Sequence, residues 1–405
     1  MKTKKKVFYG WWVSLAGGAN MMLSSGPTFQ LTSTLFRAVE DEFGWSRALV
    51  SGVASFGRFG GALLGPLEGW MTDKIGSKSM ILTGFLIGGL GLILFSFISN
   101  AIQYYLAFFL ISLGFSIGGF TPSMVAVNAW MTQYKSTGMA MVIGGSSLSG
   151  IFVPLIIWGI TNHGWRETFF LIGLITIVAG PFLAKVIGRR PPNYLHQTDS
   201  QEAINFIPQH NFTLSEALKT RAFWGLAITH GLTNISVGAI SAHIYLHLSD
   251  GNGVNLSPYS SGFILAIMAI FSFTFQILGG VLGDKVNKLA ALPVFIIIQA
   301  AALFVITFAK DMNGAIIFAV LWGIGFGART PMFHALRGEY FGRKYFGTIS
   351  GVMSFPMSMG MMATPVLVGW AFDVRGSYQF SFIVMAILCV VASLSVLFVK
   401  KPQIN

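Results

Sequence analysis

Charge is what this sequence has least of. Only 10% of its 405 residues are Asp, Glu, Lys or Arg, against about 25% in a soluble domain. That is too little to coat the exterior of a soluble globule of this size. Acids are scarcest, with 14 Asp and Glu against 26 Lys and Arg. Cysteine is nearly absent, and the single Cys389 lies in an apolar run. A disulfide framework and a cysteine-rich metal site are thereby excluded. What is abundant is apolar: 54% of the residues, with 37 Phe and 48 Gly. Lipid is the expected solvent of such a chain.

A formal charge of +12 would suit a polyanion if the cations formed one surface. They do not. Lys and Arg come in short clusters between apolar stretches of about 20 residues, the length that crosses ~30 Å of hydrocarbon. The lipid bilayer is therefore an expected partner, and nucleic acid is not.

Twelve apolar runs can be separated: 8–36, 46–71, 79–99, 102–131, 138–162, 167–186, 222–248, 258–282, 289–309, 314–337, 346–372 and 378–399. Ile87–Ser96 and Val384–Val399 are apolar all round instead of alternating, which fits helices and not a β-barrel. Met1-Lys-Thr-Lys-Lys-Lys is followed by no small-residue cleavage site at the right distance, so it reads as leading into a retained first span. Nineteen of the 26 basic residues fall in one set of alternate loops, including Lys2, Lys74, Lys135, Arg189, Lys285, Arg337, Arg343 and Lys400. Five (Arg37, Arg47, Arg166, Lys310 and Arg375) fall in the other set, and Arg58 and Arg329 stay inside spans. The excess places both termini in the cytoplasm, as an even number of spans requires. The expectation is an all-α polytopic protein of the cell membrane.

The longest hydrophilic segment divides the chain into a six-helix bundle over 1–186, a cytoplasmic linker over 187–221 and a second bundle over 222–405. Arg189-Arg-Pro-Pro cannot continue a helix. Thr213-Leu-Ser-Glu216 reads as a capping box opening a short surface helix.

The two halves share a motif. Gly69-Trp-Met-Thr-Asp73-Lys74-Ile-Gly76-Ser-Lys78 follows span 2, and Gly280-Val-Leu-Gly-Asp284-Lys285-Val-Asn287-Lys288 follows span 8, at an offset of 211 residues. Such repeats are a mark of transporters, whose binding site is expected at the repeat interface near the midplane. On this Gly-x-x-x-Asp-Lys loop the chain resembles the major facilitator superfamily. Phe8-Tyr-Gly-Trp-Trp12, Phe43-Gly-Trp-Ser-Arg47, Arg329-Thr-Pro and Gly338-Glu-Tyr-Phe-Gly342 give a narrower resemblance to its monocarboxylate-transporter-like and oxalate/formate-antiporter-like branch. The resemblance implies two pseudo-symmetric six-helix halves, with spans 1, 4, 7 and 10 lining a central cavity. It implies gating by Gly69, Asp73, Lys74, Gly76, Lys78, Asp284 and Lys285, with the first-half aspartate bracing one half against the other. It carries over no substrate-binding charge. Animal monocarboxylate transporters have a lysine in span 1 and an Asp–Arg pair in span 8, and oxalate/formate exchangers have basic residues in spans 8 and 11. All are missing here.

The candidate binding residues come from polarity out of place. A charge near the bilayer centre costs at least ~2.5 kcal/mol, so it faces a cavity or a partner. Arg329 and Arg58 meet that description. Apart from Glu167 at the first position of 167–186, Glu68 is the only acid within the runs, beside the loop motif. A guanidinium stays charged when buried and matches a carboxylate bidentately, so two unpaired arginines suggest an organic anion. His334, five residues from Arg329, is a candidate for proton coupling. His243 and His247 share a helix face, but no third ligand is near in sequence and no metal is expected. Asn20, Gln276 and Asn234 can orient a polar ligand, as can Gln30; each is also explained by interhelical hydrogen bonding.

The expected function is secondary transport of a small organic anion, a mono- or dicarboxylate, by alternating access with proton symport or exchange against a counter-anion. The alternative is a proton-coupled exporter of drugs or metabolites. Gly150-Ile-Phe-Val-Pro154 keeps the proline but not the surrounding glycines of the exporter motif. No nucleophile–base pairing, metal cluster or phosphate loop argues for an enzyme, and no cofactor is implied.

Overall fold

Helix after helix follows along the chain, each bounded by a cap, a glycine or a proline. The computed structural model describes residues 8–26, 39, 42–45, 49, 53, 65–131, 133–149, 153–188 and 211–402. Regular structure among these is helical throughout. The helices are α1 (Tyr9–Ser25), α2 (65–75), α3 (Ser77–Ser96), α4 (Ala101–Gly118), α5 (Phe120–Trp130), α6 (Lys135–Leu148), α7 (Val153–His163) and α8 (Trp165–Ile187). Then come α9 (Leu214–Leu218), α10 (Arg221–Ser249), α11 (Pro258–Lys285), α12 (Lys288–Phe308), α13 (Met312–Phe341), α14 (Phe346–Arg375) and α15 (Gln379–Val396). This is the twelve-helix fold expected, with α4–α5 and α6–α7 each making one span in two pieces.

The starts are written in the sequence. Asn100, Thr220, Ser257 and Asp311 each accept from a backbone N–H of the first turn, and Pro258 stands where its missing N–H leaves nothing unsatisfied. The Thr213–Glu216 capping box is formed: the Glu216 N–H donates to Thr213 Oγ1 at 3.3 Å and the Thr213 N–H to Glu216 Oε2 at 2.7 Å.

Eight helices among the described residues are long and apolar enough to cross a membrane. α10 misses that standard because it carries Thr229, His230, Thr233, Asn234 and Ser236, all buried. A spanning helix turns such groups away from lipid, where they would lack partners.

The chain forms two compact units: Met1–Gln209 with Arg343–Gly351, and His210–Gly342 with Val352–Asn405. In the first, Gly84, Gly114 and Gly118 bring the backbones of α3 and α4 into contact. Phe95, Tyr104, Trp165 and Phe169 fill its aromatic core. In the second, α13 packs on α11 and α12.

Two sequence boundaries move. The run expected to end at 71 continues as helix to residue 75, so Asp73 and Lys74 occupy a last turn and not a loop. What joins α2 to α3 is Gly76 alone, at φ +87°, where an L side chain would be strained. Asp284 and Lys285 likewise end α11. Span 10 does not stop at 337: α13 runs to Phe341, and Arg337, assigned above to the cytoplasmic cluster, is 0% exposed inside it.

Candidate functional site

Glycine builds the site in the second unit. A Cβ on Gly325 would meet the Gln299 N at 2.6 Å and the Phe295 carbonyl at 2.8 Å. On Gly327 it would meet the Ser272 carbonyl at 2.6 Å. α13 therefore lies backbone-to-backbone against α12 and α11. Pro331, which cannot donate to the carbonyl one turn back, sits in the same stretch. The next residue facing α12 is Arg329, 1% exposed.

Its Nε donates to Gln299 Oε1 at 2.6 Å. Gln299 is itself held, because its Nε2 donates to Ser236 Oγ at 2.8 Å, and the Cys389 thiol points at the same hydroxyl from 3.6 Å. A neutral chain from α15 through α10 and α12 thus fixes the guanidinium by one edge. The Arg329 Nη2 is buried without a hydrogen-bond partner.

Two turns along, about 12 Å up the axis, Arg337 repeats the pattern. Its Nη1 donates to Ser354 Oγ at 3.1 Å, while its Nε and Nη2 are buried and unpartnered. Between the arginines stands Phe333. The His230 ring stacks on it at 4.5 Å, the Arg337 guanidinium carbon lies 5.2 Å from its centroid, and the His334 ring meets His230 edge-on at 5.6 Å. Asn234 Nδ2 donates to the His230 carbonyl at 2.8 Å, and His230 Nε2 has no partner. No carboxylate pairs with either arginine among the described residues. Two fixed positive charges and an imidazole nitrogen, all buried, share one stripe of α13 and the facing turn of α10. Such an arrangement can receive an anion and has no group placed to receive a cation.

The sequence candidates divide. Arg329, His334 and Asn234 meet in this cluster. Gln276 is buried on α11, where its backbone touches the Gly327 turn. Asn20 belongs to the first unit, and its Nδ2 donates to the Gly118 and Gly119 carbonyls and to Ser123 Oγ, an interhelical clasp. Arg58 and Gln30 lie outside the described residues. His243 and His247 turn ring nitrogens to the Pro365 and Ile306 carbonyls.

Arg337 and Gln299 were missed. A spacing of eight residues on one helix pairs Arg337 with Arg329, and that signal was available. Gln299 stands alone in an apolar run, and nothing local pairs it with Arg329.

The first-half motif residues lie in the first unit, and Asp284 and Lys285 in the second. The Asp73 carboxylate accepts from the Gly347 N–H at 3.0 Å, the Thr348 N–H at 2.6 Å and the Thr348 hydroxyl at 2.7 Å. It caps α14 from outside the helix. A Cβ on Gly69 would overlap the Gly347 carbonyl. Lys74 lies over the Trp70 ring at 4.7 Å, and Lys78 packs against Gly188.

A groove of about 1200 Å³ in the first unit is lined by Met22, Leu155, Trp158, Phe170, Leu171 and Ile175, among others. Its walls are mostly apolar, with Leu155 60% exposed, and His163, Arg166 and Glu167 also line it.

The comparisons with known proteins bear on the family and the fold. A family model described as Major Facilitator Superfamily matches residues 13–355 and 246–404. The chain is similar to "Monocarboxylate transporter 13" of Rattus norvegicus, 26% identical over 388 residues, covering 93% of this chain and 85% of that one. It is similar also to "Probable sulfoacetate transporter SauU" of Cupriavidus necator, 25% identical over 381 residues, 89% of this chain and 87% of that one. The solved outward conformation of the transporter FucP superposes with a TM-score of 0.74 at 15% identity, over 97% of this chain and 100% of that one. That likeness is one of fold.

Proposed function

The chain belongs to the Major Facilitator Superfamily of membrane transporters, and from that premise we propose that it moves a small organic anion across the cell membrane by alternating access. The class is a mono- or dicarboxylate or a close chemical relative, and the driving force is proton symport or anion exchange. Both termini face the cytoplasm. The protein is a multi-pass transporter and not an enzyme.

One observation carries the reading: Arg329 and Arg337 are buried to 1% and 0% with guanidinium nitrogens left unpartnered and no acid among the described residues to offset them. An uncompensated charge in hydrocarbon is too unfavourable to keep without a partner, and a transiently bound anion is one. Gln299 takes the Arg329 Nε and leaves the far edge of the fork for the carboxylate. His230 Nε2, beside Phe333, supplies a neutral polar contact for the rest of the ligand. The substrates in the relatives' names, monocarboxylate and sulfoacetate, are anions of this class. Export of a cation would need a deep acid in place of the arginines.

Uptake of labelled acetate, lactate, oxalate, malonate and sulfoacetate into proteoliposomes, with and without a pH gradient, tests the proposal. At least one should be moved, and Arg329→Gln should abolish it at normal expression and melting temperature. Arg329→Lys keeps the charge but loses the fork, and should transport poorly as well. Uptake of none, or uptake that survives Arg329→Gln, would overturn it.

A further inference from the structure

Glu68 is 5% exposed on α2. Its carboxyl accepts a hydrogen bond from the Ser116 hydroxyl of α4, and no cation among the described residues is paired with it. The charged groups on neighbouring elements are engaged elsewhere. On its own helix, Asp73 caps Gly347 and Thr348, and Lys74 lies over Trp70. On α3, Lys78 packs on Gly188. In 343–351, Arg343 donates to the Ala129 carbonyl at 3.3 Å and Lys344 lies over Tyr345 at 5.2 Å. The titratable groups of α4, Tyr104 and Tyr105, are about three turns from Ser116, roughly 17 Å. An ionised carboxylate in that setting would have one neutral donor in an apolar surround, and burying it so costs several kcal/mol. A protonated one is satisfied by the same hydroxyl.

The helix that carries Glu68 is also the one clasped to residues 346–351. The Gly69 backbone abuts Gly347, Gly65 faces the Gly351 carbonyl, and Asp73 caps Thr348. We propose that Glu68 is a proton-binding site: its carboxyl holds a proton while packed on Ser116 and loses it to water when α2 parts from residues 346–351. One proton leaves, one carboxylate remains, and no other group changes. Proton occupancy then favours the clasped arrangement, which gives the transporter a coupling residue in a different unit from the anion cluster. The proposal rests on the transporter reading but not on which anion is carried.

Infrared spectroscopy of the full chain in nanodiscs across pH 5–9 decides it without a substrate. Wild type should show a protonated-carboxyl band at neutral pH that Glu68→Gln lacks and Asp73→Asn retains. Glutamine mimics the neutral acid, so Glu68→Gln should keep the wild-type melting temperature. In proteoliposomes it should keep counterflow at equal pH of the panel carboxylate that wild type moves fastest, yet lose accumulation driven by a pH gradient. A wild-type spectrum without the band, or pH-driven accumulation that persists in Glu68→Gln, would overturn the proposal. If wild type moves no carboxylate, the anion reading fails while the band still decides on Glu68.

Discussion

Gln299→Glu changes one atom group beside Arg329 and should move stability and affinity in opposite directions. Gln299 Oε1 already accepts from Arg329 Nε at 2.6 Å, so a glutamate there needs no rearrangement to form an ion pair. It loses the Nε2 donation to Ser236 at 2.8 Å, a neutral bond of about 1 kcal/mol. It gains a counter-charge for a buried guanidinium, where an uncompensated charge costs about 3–5 kcal/mol. Desolvating the new carboxylate takes back part of this gain, so the protein should be more stable by at most about 2–4 kcal/mol and melt higher. The same pairing removes the charge that draws the ligand. Losing one member of a buried charge pair costs about 2–5 kcal/mol, so carboxylate affinity should fall at least ~30-fold. Thermal melting and isothermal titration on one detergent preparation read both numbers. A Gln299→Glu protein that melts higher and still binds the carboxylate normally would refute the placement of the anion on Arg329.

Asp73→Asn removes the charge that caps Gly347 and Thr348; exchange at saturating substrate should slow several-fold while affinity stays within about threefold, as equilibrium binding and turnover would show. Gly69→Ala should have a similar or larger effect on turnover, since its methyl overlaps the Gly347 carbonyl. The exposed Glu42–Arg166 pair, 2.6 Å apart, offers an acid-side test. Hydrogen bonding to Arg166 holds the Glu42 carboxyl below the usual range, so its stabilisation is present near neutrality and fades as pH falls through the lowered value. The pair is more than a third exposed and is worth less than about 1 kcal/mol. Wild type should thus lose a small increment of melting temperature between pH 6 and 3 that Glu42→Gln does not.

The fold was legible because lipid imposes a length on every apolar run, and because Gly69–Asp73 and Gly280–Asp284 repeat at one offset. Helix ends were not. Polar residues read as breaks, yet Asp73 and Arg337 both stay helical, Asp73 bonded to Thr348 and Arg337 holding Ser354 by one of its three nitrogens. Arg329 was visible as a charge inside a span. Its setting was not, since Gln299, Ser236 and Cys389 come from three helices and meet only in the tertiary fold. Asn20 shows the converse: polarity in a span marked it for the ligand, and its neighbours Gly118, Gly119 and Ser123 take its amide for packing.

A structure of the protein with the tightest-binding carboxylate of the uptake panel tests the central claim most directly. The account predicts a carboxylate oxygen within hydrogen-bond distance of Arg329 Nη2, with Gln299 still on Nε and the Arg337 or His230 nitrogens facing the remainder of the ligand. Ligand density away from α13, with both guanidiniums untouched, would contradict it.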